Sequence, residues 1–136
     1  MKNLVKKMLA WIGNVWVCPV TVCNVLFSFV CGARIVRYND GVVELIASDV
    51  GPQSWFFRKY RFAAYTSGTS IVYRDVAIFS KPRIYRHEMR HVLQFRILGL
   101  LMLVLYPAAS GLALIIGKSP YYDNLFEVDA RKHEII

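Results

Sequence analysis

The segment at positions 83–98 reads as one helix, because it is rich in helix-forming residues and holds neither glycine nor proline. It contains the motif H-E-M-R-H, in which His87 and His91 stand four residues apart around Glu88. Positions i and i+4 of an α-helix lie on one face, so both imidazoles can point at one ion. Glu88 lies about 100° further around the helix axis. A solvated polar face is the alternative interpretation of the same pattern.

This spacing predicts a catalytic zinc site. Zinc lowers the pKa of a bound water towards ~7, and a carboxylate beside that water can take its proton and deliver it to a leaving amine. The motif H-E-x-x-H therefore indicates zinc peptidase chemistry, with His87 and His91 as ligands and Glu88 as the general base.

A catalytic zinc ion also needs a third protein ligand. A second short helical pattern follows Pro120, and Glu127 stands in it among apolar neighbours. A carboxylate in such surroundings needs a partner, and a metal ion is a suitable one. We expect Glu127 to be the third ligand, with Asp123 and Asp129 as the alternatives.

The two motifs together, H-E-x-x-H and then N-x-x-E-x-D-A-R at positions 124–131, resemble the minimal gluzincin-type zinc metallopeptidases over positions 64–132. The resemblance implies Zn²⁺ as cofactor, a glutamate on a later helix as the third ligand, and a peptide or protein substrate. One position departs from the family pattern. The family has an aspartate four residues after the ligand glutamate, but this chain has Arg131 at that position. Asp129 is then the nearest carboxylate that could support the site.

The N-terminal region predicts a membrane helix. Three lysines among the first seven residues precede an uncharged run at positions 8–33, which exceeds the ~20 residues needed to cross a bilayer. We expect residues 1–33 to be a membrane anchor, with a signal segment as the alternative, and residues 34–136 to be a minimal zinc metallopeptidase domain. The positive-inside rule then puts the N terminus in the cytoplasm and the metal site on the opposite face of the cell inner membrane.

Charge and composition narrow the partners. The formal net charge of +8 suits a phospholipid surface, and no recognisable nucleic-acid-binding module is present, so we expect no nucleic acid partner. A basic patch for lipid phosphates or a peptide carboxylate is expected, with a solvated face as the alternative; its residues are Arg58, Lys59, Arg61, Arg83, Arg86 and Arg90. The sequence leaves the oligomeric state unknown.

The region at positions 34–79 has the pattern of strands and turns, which predicts a small antiparallel sheet packed on the zinc helix. The turn Asn39-Asp40-Gly41 marks a hairpin. We expect the strand at positions 71–74 to be an edge that orients an extended substrate, with contacts from Ile71 and Tyr73. Ordinary hairpin packing is the alternative for these residues.

The uncharged run at positions 97–117 constrains the topology most strongly. If it crossed a bilayer once, His91 and Glu127 would lie ~30 Å apart and share no metal ion. We therefore expect a helical hairpin that turns at positions 107–111, followed by a short C-terminal helix with the third ligand.

The predicted fold class is thus α+β with an N-terminal membrane helix, and Tyr106, Tyr121 and Tyr122 are candidates to stabilise an oxyanion. Buried aromatic packing is the alternative for these tyrosines. Two further hypotheses for the whole chain remain open: a catalytically silent membrane scaffold or assembly protein that retains the zinc fold, and a two-span membrane protein with a coincidental H-E-x-x-H.

Overall fold

The structure, a computed structural model, describes residues 1–135 and confirms the α+β class. Residue 136, with which the predicted domain ends, lies outside the described residues. In chain order the elements are α1 (Lys2–Val30), β1 (Arg34–Asn39), β2 (Val42–Ile46), α2 (Pro52–Tyr60), β3 (Ala64–Ser67), β4 (Ser70–Tyr73), α3 (Val76–Phe79), α4 (Pro82–Leu98), a 3₁₀ turn (Gly99–Leu101), α5 (Met102–Ile115) and α6 (Leu125–Lys132).

The sheet is mixed and has the order β1-β2-β4-β3, which corrects the prediction of an antiparallel sheet. β1 and β2 form the expected hairpin, and β3 and β4 form a second one. The second hairpin joins the first through β4, which runs parallel to β2. The sequence of β4, Ser-Ile-Val-Tyr, is wholly buried, and such a strand suits the interior of a sheet.

This order also corrects the prediction of the substrate-orienting strand. β4 is central, so it has no free edge, and Ile71 and Tyr73 are fully buried. Neither side chain is available to a substrate. The edges of the sheet are β1 and β3, and β3 is the edge that packs against α4.

The predicted helical hairpin is present, but its turn lies earlier than expected. α4 ends at Gly99, which has a positive φ of 58°, and α5 then runs through Pro107 without a break. Gly99 ends α4 because it adopts this backbone conformation without strain and because the indole of Trp16 covers it, leaving no room for a Cβ atom. After α5 the chain turns back, and Asn124 binds the backbone carbonyl of Tyr106.

α1 packs along the domain instead of standing apart from it. Thr21 accepts a hydrogen bond from the backbone N–H of Thr69 at 2.8 Å, and Asn24 donates one to Ser70 at 2.8 Å. A hydrophobic cluster joins α1 to α4 and to the start of α5; its buried members are Val17, Phe95 and Met102. Two other clusters cover the two faces of the sheet.

Two helical stretches of the described chain are long and apolar enough to cross a membrane: Lys2–Val30 and Pro82–Ile115. The second stretch comprises α4, the 3₁₀ turn and α5. Much of the apolar surface of α1 and α5 is exposed, including Trp11, Leu26 and Ile115.

Candidate metal centre

His87, His91 and Glu127 form a buried group that can hold a metal ion. His87 Nε2 lies 3.2 Å from His91 Nε2 and 3.2 Å from Glu127 Oε2. His91 Nε2 lies 3.2 Å from Glu127 Oε1. The structure thus brings together the three residues that the spacing on α4 and the later helical pattern predicted as ligands.

Each ligand is positioned by a local feature of the sequence. α4 places the two histidines one turn apart on a buried face. α6 begins at Asn124, whose Oδ1 accepts a hydrogen bond from the backbone N–H of Phe126 at 2.9 Å and so caps the helix. The amide of the same Asn124 donates to the carbonyl of Tyr106 and to Ser110 on α5. This double attachment aligns α6 so that Glu127 faces α4.

The outer nitrogens of both histidines are engaged in hydrogen bonds. His87 Nδ1 donates to Glu134 Oε1 at 2.8 Å, and His91 Nδ1 donates to Gln94 Oε1 at 2.8 Å. The Gln94 amide can only accept there, because its nitrogen donates to the carbonyl of Phe126 and to Asp129. Both imidazoles therefore present an Nε2 lone pair to the centre of the site, as metal-bound histidines do.

The atoms that face the centre of the site are hydrogen-bond acceptors, which a cation would bind. Two Nε2 lone pairs face the carboxylate of Glu127, and Glu127 Oε2 is buried without a hydrogen-bond partner among the described residues. Buried charges and polar atoms are costly unless they are paired or coordinate a metal ion. The donor set and its one unsatisfied oxygen fit a divalent cation.

The electrostatics of Glu127 favour its charged form. Burial alone would raise the pKa of its carboxyl group, but the hydrogen bonds that His87 and His91 donate when they are protonated outweigh burial and hold the pKa far below the ordinary value of 4.5. Tyr106 adds a hydrogen bond from its hydroxyl to Glu127 Oε1 at 2.6 Å. A third ligand in this state needs no deprotonation before it binds a metal ion.

The supporting residues include two that the sequence reasoning missed, Gln94 and Glu134. Gln94 could have been found, because it follows His91 by three residues on the same face of α4. Glu134 gave no such signal, since it lies beyond the end of α6. Its carboxylate contacts His87 directly, whereas Asp129, the nearest carboxylate by sequence, binds Gln94 and Arg90.

The predicted basic patch is only partly present. Three of its members serve the metal centre: Arg83 binds the carboxylate of Glu134, Arg86 binds the carbonyl of Glu134, and Arg90 binds Asp129 with two hydrogen bonds. These arginines hold the supporting carboxylates in place. The other members, Arg58 and Lys59 on α2 and Arg61 at its end, remain exposed.

Glu88 lies beside the ligands and is almost completely buried, with 5% of its surface exposed. The hydroxyl of Thr66 on β3 donates to Glu88 Oε2 at 2.7 Å. This contact leaves Oε1 free for a second partner. Thr66 thus orients the carboxylate that the motif predicted as the general base.

A cavity of about 690 Å³ opens onto the ligands and Glu88. We call it the metal-site cavity. All four residues of β3, together with Tyr106 and Tyr121, line it. Burial and the nearby charge of Glu127 raise the pKa of the Tyr121 hydroxyl, so this phenol stays protonated and can donate. Tyr122 lies outside this cavity and is mostly exposed, so only two of the three predicted tyrosines reach the site.

No protein family model, no curated protein sequence and no solved structure matches this chain.

Proposed function

We propose that the protein is a membrane-associated zinc metallopeptidase that hydrolyses peptide bonds with Glu88 as its general base. The observation that carries the proposal is the spacing of the ligand atoms: the two Nε2 atoms lie 3.2 Å apart, and each lies 3.2 Å from one carboxylate oxygen of Glu127. Both histidines are directed inward by Glu134 and Gln94. Ligand atoms about 2.0–2.1 Å from a tetrahedral zinc ion are about 3.3 Å apart, so the spacing suits zinc.

His87, His91 and Glu127 would hold the zinc ion, and three protein ligands is the number found at catalytic zinc sites. When bound there, zinc supplies Lewis acidity, which polarises a peptide carbonyl and makes water a nucleophile near neutral pH. Glu88 is placed to accept the proton of that water and to return it to the leaving amine. Thr66 keeps the carboxylate in the required orientation through its hydrogen bond to Oε2.

Tyr121 is the better of the two remaining candidates for the oxyanion donor. The hydroxyl of Tyr106 is already used, because it donates to Glu127 Oε1. Tyr121 lines the same cavity and keeps its proton. We therefore assign Tyr106 to the positioning of Glu127 and Tyr121 to the stabilisation of the oxyanion.

The free edge of β3 is suited to hold an extended substrate. Within residues 1–135, β3 pairs only with β4, and its four residues line the cavity beside Glu88. An extended peptide can add to such an edge by main-chain hydrogen bonds. We therefore assign to β3 the substrate-orienting role that the sequence had suggested for the strand at positions 71–74.

The membrane is the proposed location because the exposed apolar faces of α1 and α5 need cover. The lysines at the N terminus place that end in the cytoplasm by the positive-inside rule. The inner membrane and this orientation are parts of the proposal.

The test is zinc-dependent hydrolysis of a fluorogenic peptide pool by the detergent-purified, zinc-loaded protein. We expect turnover by the wild type, loss of turnover in Glu88→Gln with zinc still bound, and no change in the control Asp49→Asn, an exposed carboxylate away from the cavity. Equal turnover in Glu88→Gln would contradict the assigned base. Zinc without any turnover would favour the silent scaffold, and a wild type that binds no zinc would favour the coincidental motif.

A further inference from the structure

We infer that the site takes an extended peptide segment with bulky apolar side chains, which enters from the bilayer between α1 and α5. The inference rests on the proposed function and names the substrate class of the same site. Three features support it: the apolar walls of the metal-site cavity, a second cavity beside it, and the free edge of β3.

The walls of the metal-site cavity are apolar away from the ligands. Five different elements or loops contribute large apolar side chains; these include Phe27, Phe56, Phe62, Phe95 and Met102. Among the described residues, no lysine, arginine or aspartate lines the cavity, and its only carboxylates are those of Glu88 and Glu127. A charged substrate side chain would lose its hydration there without gaining a partner, which is costly. Apolar side chains meet no such penalty.

A second cavity, of about 410 Å³, lies beside the first one and shares part of its wall. We call it the seam. It lies between α1, which contributes Pro19, Val20 and Cys23, and α5, which contributes Leu103. The two cavities share Asn24, Ser67 and Leu103. The path from the metal ligands therefore leads out between the two apolar helical stretches.

The depth of the site along α1 agrees with entry from the membrane. Asn24 and Phe27 line the metal-site cavity, and both fall inside the uncharged run at positions 8–33. If this run lies in the bilayer, the cavity opens at the level of the acyl chains or the headgroup boundary. A substrate held in the membrane can then reach the ligands without crossing open water.

The free edge of β3 favours a peptide over a lipid as the occupant. Residues 64–67 present one row of main-chain N–H and C=O groups that, within the described chain, pair with no other strand. Such groups are satisfied by the backbone of an extended peptide. A lipid acyl chain would fill the apolar walls but leave this row unpaired.

The experiment measures peptide binding separately from turnover. The protein is zinc-loaded Glu88→Gln in detergent, and the probes are a fluorescent decapeptide rich in leucine and a twin in which aspartate replaces the leucines. We expect the leucine peptide to bind at least ~10-fold more tightly, because each buried charge lacks a partner. Leu103→Trp, which narrows the seam, should weaken binding of the leucine peptide by ~5-fold or more through overpacking, with zinc content unchanged.

Val104→Trp is the matched control, because Val104 is exposed on the same helix and lines neither cavity. Equal affinity for the two peptides, equal effects of the two tryptophan variants, or displacement of the leucine peptide by a single-chain lipid at equal concentration would each overturn the inference. If the leucine peptide binds more tightly and Leu103→Trp weakens its binding, but the wild type hydrolyses neither peptide, the inference holds and the proposed peptidase is contradicted. If the wild type hydrolyses both peptides equally well, the proposed peptidase holds and the inference is contradicted.

Discussion

At the scale of single residues, the metal centre depends on groups that hold the ligands as much as on the ligands themselves. Glu134 accepts the Nδ1 proton of His87 and is in turn bound by Arg83. Gln94 Oε1 accepts the Nδ1 proton of His91. Outer partners of this kind set the tautomer and the basicity of a metal-bound imidazole.

Glu134→Gln should therefore lower the zinc affinity by ~10–100-fold. The substitution removes the carboxylate that orients His87 and frees Arg83 at the same time. Competition with a chromogenic chelator measures the affinity, and Lys132→Gln, at an exposed position of the same segment, serves as the control. An affinity equal to that of the wild type would show that Glu134 does not orient the ligand.

The pH dependence of zinc binding should reflect the histidines and not Glu127. Zinc needs neutral imidazoles and an ionised carboxylate, so protons compete with it as the pH falls. The pKa of Glu127 is lowered, so Glu127 stays charged. Burial would lower the pKa of His87 and His91, but the carboxylate of Glu127 outweighs burial and raises the pKa of both imidazoles above the ordinary value of about 6.5. We expect the affinity to fall towards ~100-fold per pH unit below pH 6, which corresponds to two protons.

Chelator competition across pH 4 to 7 gives this slope. A steepening to three protons near pH 4.5 would mean that Glu127 titrates normally and would contradict the low pKa.

At the scale of elements, β3 links the sheet to the candidate site. Thr66 on this strand binds the backbone carbonyl and the carboxylate of Glu88. Thr66→Val should lower kcat by ~10-fold or more, because a hydrogen bond to a charged group contributes about 1.5–3 kcal/mol. Zinc content should not change. Thr66→Ser keeps the hydroxyl and should have turnover close to that of the wild type. Full activity in Thr66→Val would show that the hydrogen bond from β3 to Glu88 does not contribute to turnover.

α1 behaves as a structural element of the domain, and close helix contacts explain how. A Cβ atom added at Gly13 would lie 2.8 Å from Arg96 Cβ and 2.9 Å from its carbonyl oxygen. Gly13→Val should therefore destabilise the protein by ~1–3 kcal/mol. Within residues 1–135, no heavy atom lies within 4 Å of such a Cβ at Gly111 on α5, so Gly111→Ala is the control and should be neutral or stabilising.

Thermal unfolding in detergent compares the two glycine variants. A Gly13→Val protein as stable as the wild type would mean that α1 is a free tether and not part of the packed domain.

At the scale of the whole molecule, the parts that sequence could predict are those with local spacing. The i and i+4 histidines required a helix, and a shared ligand set required that positions 97–117 turn back. The strand order could not be predicted, because a second hairpin can join a sheet through either of its strands. The helix α2, which lies between the two hairpins in the chain, was also not predicted. Glu134 and the contacts of α1 depend on which surfaces meet in the folded chain, and no local pattern records that.

The central claim is that one metal ion binds to residues of both α4 and α6, two helices that are separated in the chain by α5. The direct test is the zinc content of the detergent-purified protein, with His87→Ala and Glu127→Ala beside the wild type. His133→Ala is the control, because His133 bonds the carbonyl of Asp129 and lies outside the ligand group. We predict about one zinc per chain in the wild type and the control, and its loss or marked weakening in the other two variants. No zinc in the wild type, or full zinc in Glu127→Ala, would contradict the account.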